Sequence, residues 1–124
     1  MDIPTMHHVQ IAMPEQGEDL ARQFYGEILG LPEVPKPEVL RQKGGVWFRT
    51  GNLDLHLGVD RPFVPAKKAH VAYQIDDLDG VKARLAEAGC PIVEDEYLPG
   101  YDRFYTADPF GNRVELLRAR DDRS

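Results

Sequence analysis

The sequence is short of cysteine and of long apolar runs. Cys90 is the only cysteine among 124 residues, so no disulfide can form within the chain. This composition favours a reducing compartment, and we expect a cytoplasmic protein. No apolar run approaches the roughly 18 residues of a membrane span, and the N-terminal MDIPTMHH lacks the basic and apolar regions of a signal peptide. We therefore expect neither a signal peptide nor a membrane partner.

Basic residues are also scarce. The 15 lysines and arginines are outnumbered by 21 acidic residues, which gives a formal net charge of −6 at pH 7. Recognition of nucleic acid requires a basic face, so nucleic acid is not expected as a partner. The remaining composition, 42% hydrophobic and 29% charged, is typical of one globular domain that spans residues 1–124 and buries its own core.

Alternating side chains predict a strand near the start of the chain, from Met6 to Met13. One face of this strand is apolar enough to pack under a helix. That face carries Val9, Ile11 and Met13, and the opposite face carries His8, Gln10 and Ala12. Of the two adjacent histidines, His7 therefore lies on the packed side and His8 points away from the helix.

A helix and two further strands complete the first half. Apolar residues recur at helical spacing through EQGEDLARQFYGEILG, at Leu20, Phe24 and Ile28. The proline-rich LPEVPKPEVL is irregular, and its Val39 and Leu40 are the candidate start of a strand. GGVWFRTGNLDLHLGV predicts two strands joined by a TGN turn, with His56 on the side opposite to three leucines.

The second half repeats this order. AHVAYQI predicts a strand, DDLDGVKARLAEAGC a helix capped by Asp76 or Asp77, and the following residues predict strands around a DPFGN turn. The offset between the halves is 62 residues at His8 and His70, and 59 residues from the helix-ending glycines onward. We interpret the chain as two modules, of about residues 5–58 and 68–118, joined by a linker of about residues 59–67.

Four potential metal ligands share one inferred face of the sheet. The parity that turns His8 away from the helix does the same for His56, His70 and Glu115. Each of these residues alone is more often a hydrogen-bonded or surface side chain than a ligand. Together, three imidazoles and a carboxylate form the ligand mix of Fe²⁺, Ni²⁺, Co²⁺, Mn²⁺ or Zn²⁺, with positions left open for water or substrate.

The sequence resembles the vicinal oxygen chelate superfamily, which includes glyoxalase I, fosfomycin-resistance proteins, extradiol dioxygenases and bleomycin-resistance proteins. The resemblance is carried by HHVQIAM, FYGEILGL, LDLHLGV, AHVAYQIDDLDGVKARLAEAG and RFYTADPFGNRVELL. It implies an α+β fold of two tandem βαβββ modules that form a curved mixed-sheet cup around a divalent metal. It also implies His8, His70 and Glu115 as ligands, and places His56 at the position that is often glutamate in glyoxalase I.

The resemblance also implies an activity. The metal would chelate adjacent oxygens of a small molecule and act as a Lewis acid, and Glu115 would move a proton as a second catalytic role. Tyr105 is a candidate hydrogen-bond donor to a bound anion. The candidate substrate-binding residues are Trp47, Arg103, Gln10 and Gln74. Arg113 is a further candidate for binding an acidic group.

Several alternatives stay open at this point. The activity could be that of a lyase, a fosfomycin-resistance-like transferase or a dioxygenase. A metal-free protein that sequesters a small molecule, of the bleomycin-resistance type, is a second reading, and a structural or regulatory module is a third. In this superfamily two short modules often complete their cup with a second chain, so we expect a homodimer.

Overall fold

A computed structural model describes residues 4–94 and 98–120. The chain divides between Val64 and Pro65 into two compact units, each built around one mixed sheet. The predicted α+β class is therefore confirmed.

The first unit has one strand, a helix and three further strands, with a short helix between the second and third strands that was not predicted. Its sheet has the order β1-β4-β3-β2, in which β1 is parallel to β4 and the other neighbours are antiparallel. The elements are β1 (Val9–Met13), α1 (Glu18–Ala21), β2 (Glu33–Val34), α2 (Glu38–Arg41), β3 (Val46–Thr50) and β4 (Leu53–Val59).

The first helix widens after one turn. Residues Arg22–Ile28 continue α1 as a π-helix, in which the Leu29 N–H donates to the Phe24 carbonyl five residues earlier at 3.0 Å. Ala21, Phe24 and Tyr25 are buried, and the Tyr25 ring lies 6.0 Å from that of Phe48 on β3. The predicted helical stripe was wrong at Leu20, which is 49% exposed, because the two aromatic rings bury more area and set the packed face.

Two boundaries in the first unit differ from the prediction. The first strand begins at Val9, so His8 lies just before it. Val39 and Leu40 belong to the short helix α2, and Val39 is 81% exposed. Pro37 precedes this helix with an extended backbone, and Gly44 and Gly45 follow it at positive φ, so no strand can form between these breakers.

The described part of the second unit has one strand, a helix and two further strands. Its sheet is β5-β7-β6, with β5 parallel and β6 antiparallel to β7. Asp77 caps the helix by accepting a hydrogen bond from the Gly80 N–H, and the helix buries Leu78, Val81 and Leu85. The elements are β5 (Val71–Gln74), α3 (Leu78–Glu87), β6 (Tyr101–Ala107) and β7 (Arg113–Ala119).

The turn between β6 and β7 fixes the register of this sheet. The Asp108 carboxylate accepts hydrogen bonds from the Phe110 and Asn112 N–H groups, each at 2.9 Å. The Asn112 side chain donates to Asp108 and accepts from the Ala66 N–H. The chain is thereby held at the start of β7, the strand that carries Glu115.

The central strands of the two sheets pair with their neighbours in equivalent registers. His56 lies between Gln10 and Trp47 on the neighbouring strands, and Glu115 lies between Ala72 and Tyr105. His56 and Glu115 therefore occupy equivalent positions on the central strands of the two units, as the 59-residue offset predicts.

Candidate metal centre and its neighbours

A buried carboxylate and a histidine form the centre of the polar cluster in the second unit. Glu115 is only 5% exposed, and its Oε1 lies 2.8 Å from Nε2 of His70, which immediately precedes β5. Nδ1 of His70 lies 3.0 Å from the Lys68 carbonyl. Because a carbonyl only accepts, Nδ1 carries the hydrogen in this contact, and the His70 ring is held with Nε2 directed at Glu115.

This pair needs a positive species between its two atoms. With the hydrogen on Nδ1, the lone pair of Nε2 would face a carboxylate oxygen unless a second proton or a cation lies between them. The observed 2.8 Å is an ordinary hydrogen-bond distance. Neutral imidazole with carboxylate is also an ordinary donor set for Zn²⁺, Ni²⁺ or Fe²⁺, so the same two side chains are candidates for holding a metal.

Two arginines surround Tyr105 beside this pair. Nη1 of Arg103 donates to the Tyr105 hydroxyl at 2.9 Å and lies 3.5 Å from Oε2 of Glu115. The Arg113 guanidinium lies 3.9 Å from the centre of the Tyr105 ring. Since arginine has only donors, the Tyr105 oxygen must accept in this bond, and its own hydrogen is directed elsewhere. Tyr105 can therefore donate a hydrogen bond to a ligand.

The equivalent position in the first unit carries stacked rings. His56 is 8% exposed, and its ring lies 3.8 Å from Trp47 at an angle of 3° and 4.3 Å from His8 at 18°. His8 and His7 share a hydrogen bond between their Nδ1 atoms at 2.9 Å. Burial, followed by the charge of nearby His8, lowers the pKa of His56, so this ring is neutral at neutral pH.

The stack is not a chelate in the arrangement seen. Imidazole binds a metal through a lone pair in the plane of the ring, and two nearly parallel rings direct those lone pairs side by side. In neither unit do three His, Cys, Asp or Glu side chains of the described residues form a group that could hold a metal. The structure thus pairs His70 with Glu115 and stacks His8 on His56.

The two predicted glutamines differ in their surroundings. Gln10 lies over Gly58 on β4, where a Cβ atom would come within 2.8 Å of the Gln10 Nε2. The absence of a side chain at Gly58 is what allows the Gln10 amide to lie against the strand. Gln74 is exposed, at the end of β5 opposite Leu117.

Two lysines near Gln10 were missed by the sequence reasoning. Lys36 and Lys43 flank helix α2 and line a small cavity together with Gln10 and Trp47. The spacing of the two lysines does not predict a shared cavity, because the segment has no regular periodicity. Whether the two side chains meet depends on how the segment folds over the sheet.

Comparison with known proteins identifies the family. The chain belongs to the Glyoxalase/Bleomycin resistance protein/Dioxygenase superfamily, whose model matches residues 5–116. The predicted superfamily is therefore confirmed. A search of curated proteins found no significant match.

Solved structures agree with this assignment. A glyoxalase family protein from Bacillus anthracis is 43% identical, with a TM-score of 0.90 over 97% of this chain and 98% of that one. A lactoylglutathione lyase from Agrobacterium tumefaciens is 24% identical, with a TM-score of 0.66 over 94% and 96%. A fosfomycin resistance protein from Listeria monocytogenes is 17% identical, with a TM-score of 0.74 over 98% of both chains. The last two similarities show the fold alone.

No helix among residues 4–94 and 98–120 is long and apolar enough to cross a membrane.

Proposed function

We propose that this chain is a divalent-metal-dependent, glyoxalase-like enzyme that acts on a small molecule with adjacent oxygen atoms. The observation that supports this proposal best is the contact between His70 and the buried Glu115, with His70 oriented by the Lys68 carbonyl. A buried carboxylate is costly unless it is paired or binds a cation. Bound Ni²⁺, Co²⁺, Mn²⁺, Fe²⁺ or Zn²⁺ would supply Lewis acidity to a substrate oxygen.

The neighbouring side chains have distinct tasks in this proposal. Tyr105 donates its hydroxyl hydrogen to a substrate oxygen that gains negative charge, and Arg103 holds the hydroxyl in the orientation that makes this possible. Glu115 would help to hold the cation, and its carboxylate would also be the group that accepts a proton from the substrate. Arg113 lies over the Tyr105 ring and keeps the aromatic side chain in place.

The remaining predictions from the sequence enter as part of the proposal. His8 and His56 are kept as further metal ligands to be tested by substitution, and Trp47, Gln10 and Gln74 as substrate contacts. The reaction is that of a lyase, a fosfomycin-resistance-like transferase or a dioxygenase. The proposed form is a cytoplasmic homodimer.

The stacked rings favour a second candidate, a metal-free protein that sequesters a flat molecule. The column of Trp47, His56 and His8 presents aromatic faces, and the lowered pKa keeps His56 uncharged. Such a surface can bind a planar ligand by stacking without any metal. The two candidates differ in whether metal is needed for binding.

Metal analysis of protein purified without a histidine tag tests the proposal. We expect close to one divalent ion per chain and a higher melting temperature with metal, and we expect His70→Ala and Glu115→Ala to lose both. His8→Ala and His56→Ala are measured in the same way. The matched control is Glu33→Ala, which removes a partly exposed carboxylate outside the proposed set. If the parent binds no metal, the sequestering candidate replaces the enzyme, and if Glu115→Ala binds metal as well as the parent, the assigned site is wrong.

A further inference from the structure

A small cavity in the first unit is lined by positive charge, although the chain as a whole is acidic. It has a volume of about 280 Å³, and its lining includes Trp47, Gln10, Gly58 and the two lysines Lys36 and Lys43. None of the described residues that line it is acidic. The net charge of −6 therefore does not describe the field inside this cavity.

Gly58 on β4 leaves room for the Gln10 side chain at the floor of the cavity. Gly58 has no side chain, and a Cβ at this position would come within 2.8 Å of the Gln10 amide nitrogen. The Gln10 amide lies where a side chain at position 58 would otherwise be, and Trp47 lines the same cavity. The Gln10 side-chain amide has no hydrogen-bond partner among the described residues, so it is available to a ligand.

The two lysines have different tasks. The Lys36 ammonium, which is partly buried, donates to the Gly44 carbonyl and ties the ends of the α2 segment together. The Lys43 backbone N–H donates to the Leu40 carbonyl at 3.2 Å, but its ammonium forms no hydrogen bond or ion pair with any residue in the described part of the chain. Glu18, whose carboxylate lies beside Gly44, accepts a hydrogen bond from the Gly45 N–H at 2.8 Å. Lys43 is thus the cation that is available to a ligand.

We propose that this cavity binds the anionic group, such as a carboxylate or a phosphonate, of a small organic molecule. The anion contacts Lys43 and the Gln10 amide, and the carbon skeleton next to it packs on the Trp47 ring. The volume suits one substituent rather than a whole ligand, since complete small-molecule sites are usually larger than about 300 Å³. The inference does not rest on the proposed function, and the binding of an anion here can be tested without it.

Trp47 provides a direct reporter of this cavity, because it is the only tryptophan in the chain. The experiment titrates chelator-treated protein with cyclohexanecarboxylate and, separately, with cyclohexanecarboxamide, which has nearly the same shape but no charge. We expect the carboxylate to change the Trp47 fluorescence in a saturable way and the amide to bind about tenfold more weakly. Binding of the carboxylate should weaken as salt is added, because the contact is partly exposed.

Three variants assign the effect to Lys43. Lys43→Glu should weaken carboxylate binding about tenfold, and Lys43→Arg should retain it. Lys67→Glu, which changes the net charge equally but lies in the second unit, should bind like the parent. Equal affinity for the carboxylate and the amide, or equal loss in Lys43→Glu and Lys67→Glu, would overturn the inference.

The outcome is independent of the metal proposal. The titration is carried out on metal-free protein, whereas the proposed function is tested by the metal content of the parent and of Glu115→Ala. Anion binding that depends on Lys43 in a protein without metal affinity would support the cavity and reject the enzyme. Metal binding without anion binding would support the enzyme and overturn the inference about the cavity.

Discussion

Replacement of Glu115 by alanine tests whether the contacts of this carboxylate stabilise the folded protein. Glu115 contacts His70 at 2.8 Å and Arg103 at 3.5 Å and is 5% exposed. Removing one partner of a fully buried ion pair costs about 3–5 kcal/mol. Here the His70 and Arg103 side chains are 27% and 17% exposed and can regain part of their hydration, so we expect a loss of about 2 kcal/mol.

The expected change in melting temperature follows from the length of the chain. An unfolding entropy of about 2.1 cal/mol/K per residue makes 1 kcal/mol equivalent to about 4 °C for 124 residues. Glu115→Ala should therefore melt about 8 °C below the parent when both are treated with a chelator. The matched control is Glu33→Ala, whose partner Arg22 is largely exposed, and which should lose less than about 1 kcal/mol.

The same measurement with metal separates stability from binding. Metal should raise the melting temperature of the parent and leave that of Glu115→Ala unchanged, since a ligand stabilises only the folded state that binds it. If metal-free Glu115→Ala is as stable as the parent or more stable, the contacts with His70 and Arg103 do not satisfy the carboxylate, and the reasoning from this geometry is refuted.

Two further predictions concern the thiol and one glycine. Burial raises the pKa of the Cys90 thiol, so less thiolate is present than in a free thiol at pH 8. Its reaction with a disulfide reagent should therefore be slower than that of glutathione and should accelerate as the pH rises above 9. A rate at pH 8 equal to that of glutathione would contradict this prediction. Gly45→Ala should destabilise by about 3 kcal/mol or more in urea unfolding, because φ is +94° and the added Cβ would lie 2.2 Å from the Leu57 carbonyl oxygen. Gly51→Ala, with φ of +52° and open space, should cost about 1 kcal/mol, and equal losses in the two variants would show that the close approach has no energetic weight.

Alternation along the strands predicted the faces of the sheets correctly. Phe48 packs toward the π-helix, and Trp47 stacks on His56 on the other side. Glu115 and Tyr105 are likewise cross-strand neighbours. Such faces can be predicted because successive residues of a strand must point to opposite sides, whatever the rest of the chain does.

The orientations of the histidine side chains, which decide the chemistry, could not be predicted from the alternation of residues along the strands. His8 and His70 lie just before β1 and β5, where strand parity no longer restricts the side chain. His8 stacks on a neighbouring ring, and His70 is turned to Glu115 by the Lys68 carbonyl. The π-helix also escaped prediction, because its wider turn depends on the packing of Phe24 and Tyr25 and not on the spacing of apolar residues.

The duplicated register shows how one backbone supports two kinds of site. Trp47 and His56 in the first unit occupy the same cross-strand positions as Tyr105 and Glu115 in the second. In the first pair two aromatic rings meet, so the contact is a stack with neutral His56. In the second pair a carboxylate replaces one ring, and it draws in the donors His70 and Arg103. Because the strand pairing is the same, the side chains alone account for the difference, and we expect exchanges at these four positions to alter binding more than they alter the fold.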